Sequence, residues 1–465
     1  MHSRPSLAIS SSATGPAIGA PSSHPAGSSS ASASSALGKG VLIRCHECDL
    51  LQFLPVLAPK AEAACARCET TLVSHKPNGF QRAFVFYLTA LILLGLANAF
   101  PFMTLKVQGH VQSSHLMSGA IDLFRGGMWE IAVAVILFVV VVPLCKILIG
   151  IAVVGPLAAG WRPRGARTLY RLFGALHPWS MMEIFFLGVL VSYTKLMALA
   201  TVEFGPSLFC FIALILVMIL ADSAVDPHNV WERLAKAPRV SMPPVAERDE
   251  LMGCHACQLV CRVSPHPHGA DARCPRCATA LHRRKPDSLA RTAALLITAA
   301  ILYIPANVYP VMTFASLGSG EPSTILGGVE ELVAANMWPL AAIVFIASIL
   351  VPVLKLISMS YLLISTRFLS RWRIRDRTRI YRLNEFVGRW SMVDVFVITV
   401  LVALVQLGSI ASIVPGEGII AFAFVVVLTM LAALCFDPRL IWDAAGLNPA
   451  STTAEVKAAG AIADE

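Results

Sequence analysis

The sequence predicts an all-α integral membrane protein built as a tandem parallel repeat, and three observations lead to this fold class. Hydrophobic residues make up 56% of the 465 residues and charged residues only 14%. Eight apolar runs, four in each half, are each long enough to cross a bilayer. A four-cysteine motif precedes each group of four runs, and the two motifs lie 209 positions apart. Each half is therefore predicted to be a small β zinc ribbon followed by four transmembrane helices.

The predicted domains follow these changes in composition along the chain. Residues 1–38 are rich in Ser, Ala, Gly and Pro, which predicts a disordered tail, and no apolar core follows a basic start as in a secretory signal. The other predicted domains are a first ribbon (39–78), a first four-helix membrane domain (79–228), a linker (229–250), a second ribbon (251–286), a second four-helix membrane domain (287–440) and a C-terminal tail (441–465).

The cysteines predict two structural zinc ions, one in each ribbon. In both halves two CxxC knuckles are separated by sixteen residues. A knuckle folds two thiolates onto one face of a tight turn, so two knuckles complete a tetrahedron around the metal. The predicted ligands are Cys45, Cys48, Cys65 and Cys68, and then Cys254, Cys257, Cys274 and Cys277. Cys261 lies between the knuckles of the second ribbon and is interpreted as a spare thiol, not a fifth ligand.

The eight apolar runs predict the eight membrane crossings. They are approximately 83–103, 129–154, 179–199, 207–225, 289–312, 338–364, 390–413 and 419–436. Landmark residues in the first two runs of each half keep the 209-residue offset of the cysteines, and the offset becomes 211 after a two-residue insertion. The matched pairs include Asn98 with Asn307, Pro143 with Pro352, Lys146 with Lys355, and Glu183 with Asp394.

The distribution of basic residues predicts the orientation. The loop after the second crossing carries four arginines between 162 and 171, and its counterpart carries eight between 367 and 389. The outer segments 313–338 and 409–420 contain no Lys or Arg, although the first outer loop contains Lys106 and Arg125. By the positive-inside rule both ribbons and both termini are predicted to be cytosolic, which also suits unoxidised thiols. The net charge of +9 is attributed to topology and anionic head groups, and no nucleic-acid binding is expected.

Charged residues inside the predicted membrane helices are candidate transport residues. Lys146 and Glu183 are predicted at similar depth in the inner leaflet, and Lys355 and Asp394 repeat the arrangement. A charge near a helix centre costs roughly 2.5–3.5 kcal/mol, so a partner or water is expected. Two readings stay open: a Lys–acid couple in each half, or lysines that snorkel while the acids lie at the interface. Two further charged residues near helix ends, Asp222 and Lys195, are interpreted as solvated.

Prolines and asparagines are repeated in the same helices. Pro143 and Pro352 lie three residues before the two lysines, where each frees a carbonyl four residues earlier. The resulting kinks are interpreted either as openings beside a buried charge or as features of packing alone. Asn98 and Asn307 are placed near the outer ends of the first crossings, where they either line an exit or terminate a helix; termination is the favoured interpretation.

Several sequence motifs of enzymes are absent from the chain. There is no GxxxxGK[ST] motif of a P-loop ATPase, and no HExxH or GxSxG motif of a hydrolase. The protein is therefore not expected to be an enzyme.

Three features of the chain together resemble the paraquat-inducible protein A family. They are the two ribbons, the Asn-x-x-Pro-x-Met-Thr motif that ends the first crossing of each half, and the Pro-x-x-Lys motif of the second crossing. This family includes LetA-type inner-membrane proteins of Gram-negative bacteria, and the resemblance covers residues 41–445. It implies an inner-membrane component of intermembrane lipid transport, with phospholipid as substrate and a periplasm-spanning MCE-domain protein as partner. It also implies a contribution to outer-membrane integrity and stress tolerance.

Two other functions remain compatible with the sequence. One is a secondary transporter of ions or small solutes that uses the two Lys–acid couples as a relay. The other is a membrane-anchored zinc or redox stress sensor whose ribbons release metal on oxidation.

Overall fold

The computed structural model describes residues 41–54, 58, 61–74, 76, 78–107, 110–196, 201–235, 250–263, 272–316, 319–334, 336–388, 390–405 and 411–447. The predicted N-terminal tail, residues 236–249 of the predicted linker and residues 448–465 of the predicted C-terminal tail lie outside them. The chain divides into two compact units. One unit contains the two ribbons and comprises the described residues within Met1–Pro77, Asp226–Arg283 and Pro438–Glu465. The other contains the apolar helices and comprises the described residues within Asn78–Val225 and Arg284–Asp437.

The described residues form sixteen α-helices, two π-helical turns and two 3-10 turns. The helices are α1 Gly79–Ala99, α2 Ser118–Arg125, α3 Trp129–Ile136, α4 Val142–Ala158, α5 Ala166–Leu176, α6 Met182–Leu196, α7 Pro206–Ala224, α8 Pro227–Leu234, α9 Ser288–Val308, α10 Ile325–Ala334, α11 Trp338–Phe345, α12 Val351–Arg367, α13 Ile374–Gly388, α14 Val393–Leu404, α15 Gly418–Cys435 and α16 Arg439–Ala444. The π-helical turns are Leu137–Val141 and Ile346–Leu350, and the 3-10 turns are His177–Trp179 and Trp390–Met392.

Eight helical segments of the described chain are long and apolar enough to cross a membrane, which confirms the predicted number. They are Gly79–Ala99, Trp129–Ala158, Ala166–Thr194, Pro206–Ala224, Ser288–Val308, Ala341–Arg367, Ile374–Leu404 and Gly418–Cys435. The third segment begins at Ala166, thirteen residues before the predicted start at Trp179, because α5 joins α6 through a 3-10 turn. His177 consequently lies within the helical segment.

Two small antiparallel sheets in the membrane unit were not anticipated from the sequence. Their strands are β5 Met103–Val107, β6 His110–Ser114, β7 Thr201–Phe204, β10 Met312–Ser316, β11 Ser319–Ser323 and β12 Ala411–Pro415. The first sheet has the order β6-β5-β7 and the second the order β11-β10-β12. Strands of four or five residues in loops carry little periodic signal.

The registers of these sheets show the internal repeat at the level of single residues. Met103 pairs with Ser114 and Phe204. Met312, which lies 209 positions later, pairs with Ser323 and Pro415. The partners obey the offsets of 209 and 211 that the sequence predicts, so the two halves share one topology.

The two halves contact each other through their third spans. The Ser192 hydroxyl donates to the carbonyl oxygen of Val397 at 3.1 Å, and the ring centroids of Phe185 and Phe396 are 5.6 Å apart. A Cβ atom added at Gly188 would lie 2.9 Å from the Cβ of Phe396. Only a residue without a side chain fits this close approach.

Apolar side chains cover the outer surface of the membrane unit. Val85, Leu88 and Ile92 are exposed on α1, and Ile297 and Ile301 are exposed on α9. Their spacing of three or four residues places each set on one side of its helix. A contiguous apolar surface of this kind is expected where a protein contacts lipid.

The described part of the ribbon unit contains three two-stranded sheets. The pairs are β1 Val41–Arg44 with β2 Leu51–Leu54, β3 Glu62–Ala64 with β4 Thr71–Ser74, and β8 Glu250–Gly253 with β9 Val260–Val263. A β-bridge between Ile43 and Leu259 joins the first ribbon to the second. Helices α8 and α16 belong to the same unit and bury Trp231 and Trp442. Residues that were predicted to be linker and tail thus contribute large side chains to this core.

Candidate metal centres and buried lysine sites

The four CxxC knuckles share one backbone geometry. In the first knuckle the Cys45 amide donates to the Leu50 carbonyl at 2.9 Å, and the Asp49 amide donates to the Cys45 carbonyl at 3.0 Å. Equivalent bonds occur in the knuckles that begin at Cys65, Cys254 and Cys274. The residue after the second cysteine has a positive φ in each case: Asp49, Glu69, Gln258 and Ala278. Each turn is therefore closed in the same way and presents its two thiols together.

The knuckles bring the eight predicted ligands together as two buried quartets. Within each quartet all four sulfur atoms lie within 4.8 Å of one another, and no cysteine of either quartet forms a disulfide. Two sulfur pairs in the first ribbon are each 3.5 Å apart, and two in the second are 3.4 and 3.5 Å apart. A tetrahedron with zinc–sulfur bonds of about 2.3 Å has edges of about 3.8 Å. Both quartets therefore fit a tetrahedral, thiophilic metal ion with little movement.

The electrostatics of the quartets also favour a bound cation. In the first quartet the hydrogen bonds among the thiols raise the pKa of Cys48 and lower the pKa of Cys65. In the second quartet they raise the pKa of Cys257 and lower the pKa of Cys274. Thiolates are the form that binds metal, and four buried negative charges need a compensating positive charge. A divalent ion held by the four sulfurs would supply that charge and stabilise the fold of the ribbon.

Cys261 lies beside the second quartet. Its buried sulfur is 3.9 Å from the sulfur of Cys274 and 3.6 Å from the carbonyl oxygen of Leu259, to which it donates. It is not one of the four sulfurs that lie mutually within 4.8 Å. The equivalent position of the first ribbon is Gln52, whose side-chain oxygen accepts a hydrogen bond from the Ala66 amide at 3.3 Å. Only one of the two ribbons therefore has a fifth thiol at this position.

Lys146 occupies a buried ion-pair site in the first half. Its Nζ atom lies 2.5 Å from Oδ2 of Asp222 and 3.0 Å from Nδ1 of His177. The Tyr87 hydroxyl donates to the other carboxylate oxygen of Asp222 at 3.1 Å. The side chain of Lys146 is 3% exposed and that of Asp222 is 27% exposed. Four titratable groups from α1, α4, α7 and the intervening 3-10 turn thus form one network.

Of the two interpretations that the sequence leaves open, the couple of Lys146 with Glu183 does not hold among the described residues. Among the described residues Lys146 forms an ion pair with Asp222, which the sequence had suggested was solvated, and not with Glu183. Depth along a helix axis was the only criterion available from sequence, and it does not specify which sides of two helices face each other. A useful sequence signal was the acid itself, because Asp222 interrupts an otherwise apolar run. The side chain of Lys195 lies outside the described part of the chain.

Lys355 occupies the equivalent site of the second half, and within the described residues it has no acidic partner. It is 2% exposed, and its Nζ atom lies 3.3 Å from the carbonyl oxygen of Gly388. No ion pair of Lys355 with a carboxylate is found in the described part of the chain, so the interpretation that couples it with Asp394 does not hold there either. By the 211-residue offset between the repeats, Gly388 corresponds to His177 and Ala433 corresponds to Asp222. The second half therefore has glycine and alanine at the positions of the two polar partners that surround the first lysine.

Each predicted proline kink is preceded by a π-helical turn. The amide of Val142 donates to the carbonyl of Leu137, five residues earlier, and the amide of Val351 donates to Ile346 in the same way. Pro143 and Pro352 follow directly after these residues. The extra residue in the turn accommodates a helix that lacks one backbone donor. Proline alone did not reveal this geometry.

Asn98 and Asn307 make the same local contact in both halves. Each side-chain amide donates to the carbonyl four residues earlier, of Leu94 and Tyr303 respectively, at 2.8 Å. The helices end one residue after each asparagine. The contact favours the helix-terminating interpretation over an exit lining.

The fold and these sites define the class of protein: a duplicated eight-span membrane protein with two four-cysteine metal-site candidates. Residues 80–235 and 289–446 match the family model described as "Paraquat-inducible protein A". The chain belongs to this family, as the sequence motifs indicated.

Curated relatives cover nearly the same length of chain. The chain is 39% identical to "Intermembrane transport protein PqiA" of Escherichia coli K12 over 410 residues, which are 86% of this chain and 95% of the relative. It is 30% identical to "Lipophilic envelope-spanning tunnel protein A" of the same organism over 412 residues, 88% and 92% of the two chains. It is 29% identical to a "Probable intermembrane transport protein" of Haemophilus influenzae over 404 residues, 86% and 95% of the two chains. No solved structure matches the chain.

Proposed function

We propose that this protein is the inner-membrane component of a system that moves phospholipid between the inner and outer membranes of a Gram-negative bacterium. It works with a periplasm-spanning MCE-domain protein and contributes to outer-membrane integrity and stress tolerance. The names of the relatives support transport between membranes. The observation in this chain that carries the proposal is the buried amine of Lys355, since an anionic lipid phosphate is a matching partner for it.

The candidate transport residues have complementary roles in this proposal. Lys146 and Lys355 attract the phosphate group as a lipid enters the helical unit. Glu183 and Asp394, near the starts of α6 and α14, are protonatable groups that couple movement to the proton gradient, because the sequence contains no nucleotide-binding motif. The π-helical turns beside Pro143 and Pro352 permit the second span of each half to bend. Asn98 and Asn307 end the first span of each half.

Zinc is the proposed metal of both quartets, and the ribbons are proposed to be cytosolic. The four-sulfur geometry and the loop charges support these two statements. A cysteine-accessibility map is expected to place positions near 320 and 415 in the periplasm, and positions near 60, 165, 265 and 375 in the cytosol. A periplasmic ribbon would contradict the orientation.

Complementation of a deletion strain tests the transport role of Lys355. Lys355→Met removes the amine but keeps an apolar side chain of similar length, whereas Lys355→Arg keeps the positive charge and serves as the matched control. We expect the methionine variant to restore much less outer-membrane resistance to detergents and large antibiotics than the arginine variant. Immunoblotting must show equal abundance of both proteins. Full resistance with Lys355→Met would remove the lysine from the proposed mechanism.

A second candidate function is a proton-linked secondary transporter of ions or small solutes. The network of Tyr87, Asp222, Lys146 and His177 favours it, because hydrogen bonds connect the four groups from a buried phenol to a half-exposed imidazole. Purified protein in liposomes with a pH-sensitive dye distinguishes the two functions. Rapid solute-dependent proton flux without any partner protein supports the second function and contradicts the first.

A further inference from the structure

The second ribbon contains a thiol that its metal site does not need. Four cysteines complete the quartet of Cys254, Cys257, Cys274 and Cys277, and Cys261 adds a fifth sulfur 3.9 Å from Cys274. In the first ribbon the same position is occupied by Gln52, an amide that cannot be oxidised to a disulfide. The four knuckles share one backbone geometry, and at this position the ribbons differ in carrying a thiol or an amide.

We propose that Cys261 and Cys274 form a reversible disulfide when the protein meets a hydroperoxide, and that this makes the second ribbon a site of oxidative modification while the first is spared. A disulfide has an S–S bond of about 2.05 Å. Closing a separation of 3.9 Å requires the two sulfurs to approach each other by about 2 Å. The contact from the Cys261 sulfur to the Leu259 carbonyl is 3.6 Å long and holds the thiol only weakly.

The reaction balances with a hydroperoxide as the oxidant. The Cys274 thiolate attacks the peroxide oxygen, which gives a sulfenic acid on Cys274 and releases an alcohol, or water when the oxidant is hydrogen peroxide. The Cys261 thiol then attacks the Cys274 sulfur; the S–S bond forms and the sulfenic oxygen leaves as water. Two thiols lose two electrons in total, and the peroxide gains them. Cys261 is suited to the second step because it is adjacent to Cys274 and is not required as a metal ligand.

The consequence is local and differs between the ribbons. Bonding of Cys274 to Cys261 leaves three thiols for the second metal ion and weakens its binding. The segment affected contacts the first ribbon, because Leu259 forms the β-bridge with Ile43 and its carbonyl also accepts the Cys254 amide at 2.9 Å. Oxidation at Cys261 therefore acts next to the surface through which the two ribbons meet.

Peroxide titration of the full-length, metal-loaded protein tests this proposal. After treatment with hydrogen peroxide, free thiols are alkylated, the protein is digested without reductant, and linked peptides are identified by mass spectrometry. We expect a Cys261–Cys274 cross-link that dithiothreitol reverses, and a metal content that falls from about two ions towards one per chain. In Cys261→Gln, which carries the first-ribbon residue, the cross-link is absent and half-loss of metal needs about tenfold more peroxide.

The reciprocal variant gives the first ribbon the same sensitivity. Gln52→Cys is expected to form a cross-link to Cys65, the counterpart of Cys274, and to make loss of both ions equally easy. Three results would overturn the proposal: disulfides confined to the quartet, loss of metal without any cross-link, or equal peroxide sensitivity of the wild type and Cys261→Gln. None of these readouts depends on transport activity, so they are independent of the proposed lipid function.

Discussion

Replacing Asp222 by alanine gives the first half the residue that the second half carries at the equivalent position, Ala433. The change removes the carboxylate that lies 2.5 Å from the Lys146 amine and also removes the acceptor of the Tyr87 hydroxyl. Because the lysine side chain is only 3% exposed, its charge stays buried. Loss of one partner of a buried pair costs about 3–5 kcal/mol. The 27% exposure of Asp222 places the expected loss near the lower limit, about 3 kcal/mol.

A double-mutant cycle separates this pair from general damage to the helices. Asp222→Ala, Lys146→Met and the double variant are unfolded in mixed micelles with increasing denaturing detergent, and tryptophan fluorescence is recorded. We expect the double variant to be more stable than the sum of the single effects, by about 1–3 kcal/mol. Glu203→Ala breaks the exposed pair with Lys106 and is expected to cost less than about 1 kcal/mol. Strict additivity, or an Asp222→Ala protein as stable as the wild type, would refute the reasoning.

The remaining predictions concern single positions. His177→Gly introduces the glycine that the second half carries at the matched position 388. It should lower stability by about 1 kcal/mol or less in the same assay, since the hydrogen bond between the half-exposed ring and Lys146 is lost. Gly188→Ala should lower stability by about 1–3 kcal/mol because its Cβ would collide with Phe396, whereas Gly95→Ala, which meets nothing within 4 Å, should be neutral or slightly stabilising. Cys65→Ser should halve the metal content measured by elemental mass spectrometry; unchanged metal in that variant would rule out the first quartet as a metal site.

The repeat and the thiol clusters were predictable because each depends on local sequence. A CxxC pair determines its own turn, as the shared hydrogen bonds of the four knuckles show. Apolar runs of about twenty residues determine spanning helices regardless of their neighbours. The short strands at Met103 and Met312 were not predictable, since the offset equated them but gave no sign that they pair.

The partners of the two lysines could not be predicted from the sequence. Charge and depth singled out Lys146 and Lys355 but left open whether they form buried couples or snorkel, and the structure places both at 3% exposure or less. Their partners depend on how α4 and α12 are rotated against neighbouring helices, which hydropathy does not encode. The sequence does contain one relevant difference between the halves. Matched positions carry an acid at 222 and an alanine at 433, so the surroundings of the two lysines are not equivalent.

Purification of the tagged protein from its native membrane in mild detergent tests the central proposal most directly. Co-purifying proteins and lipids are identified by mass spectrometry, and an unrelated eight-span protein purified in parallel gives the background. The proposed function predicts an MCE-domain protein and phospholipid enriched with the wild type, and less phospholipid with Lys355→Met. Recovery of the intact protein with neither an MCE-domain partner nor phospholipid above background would contradict it.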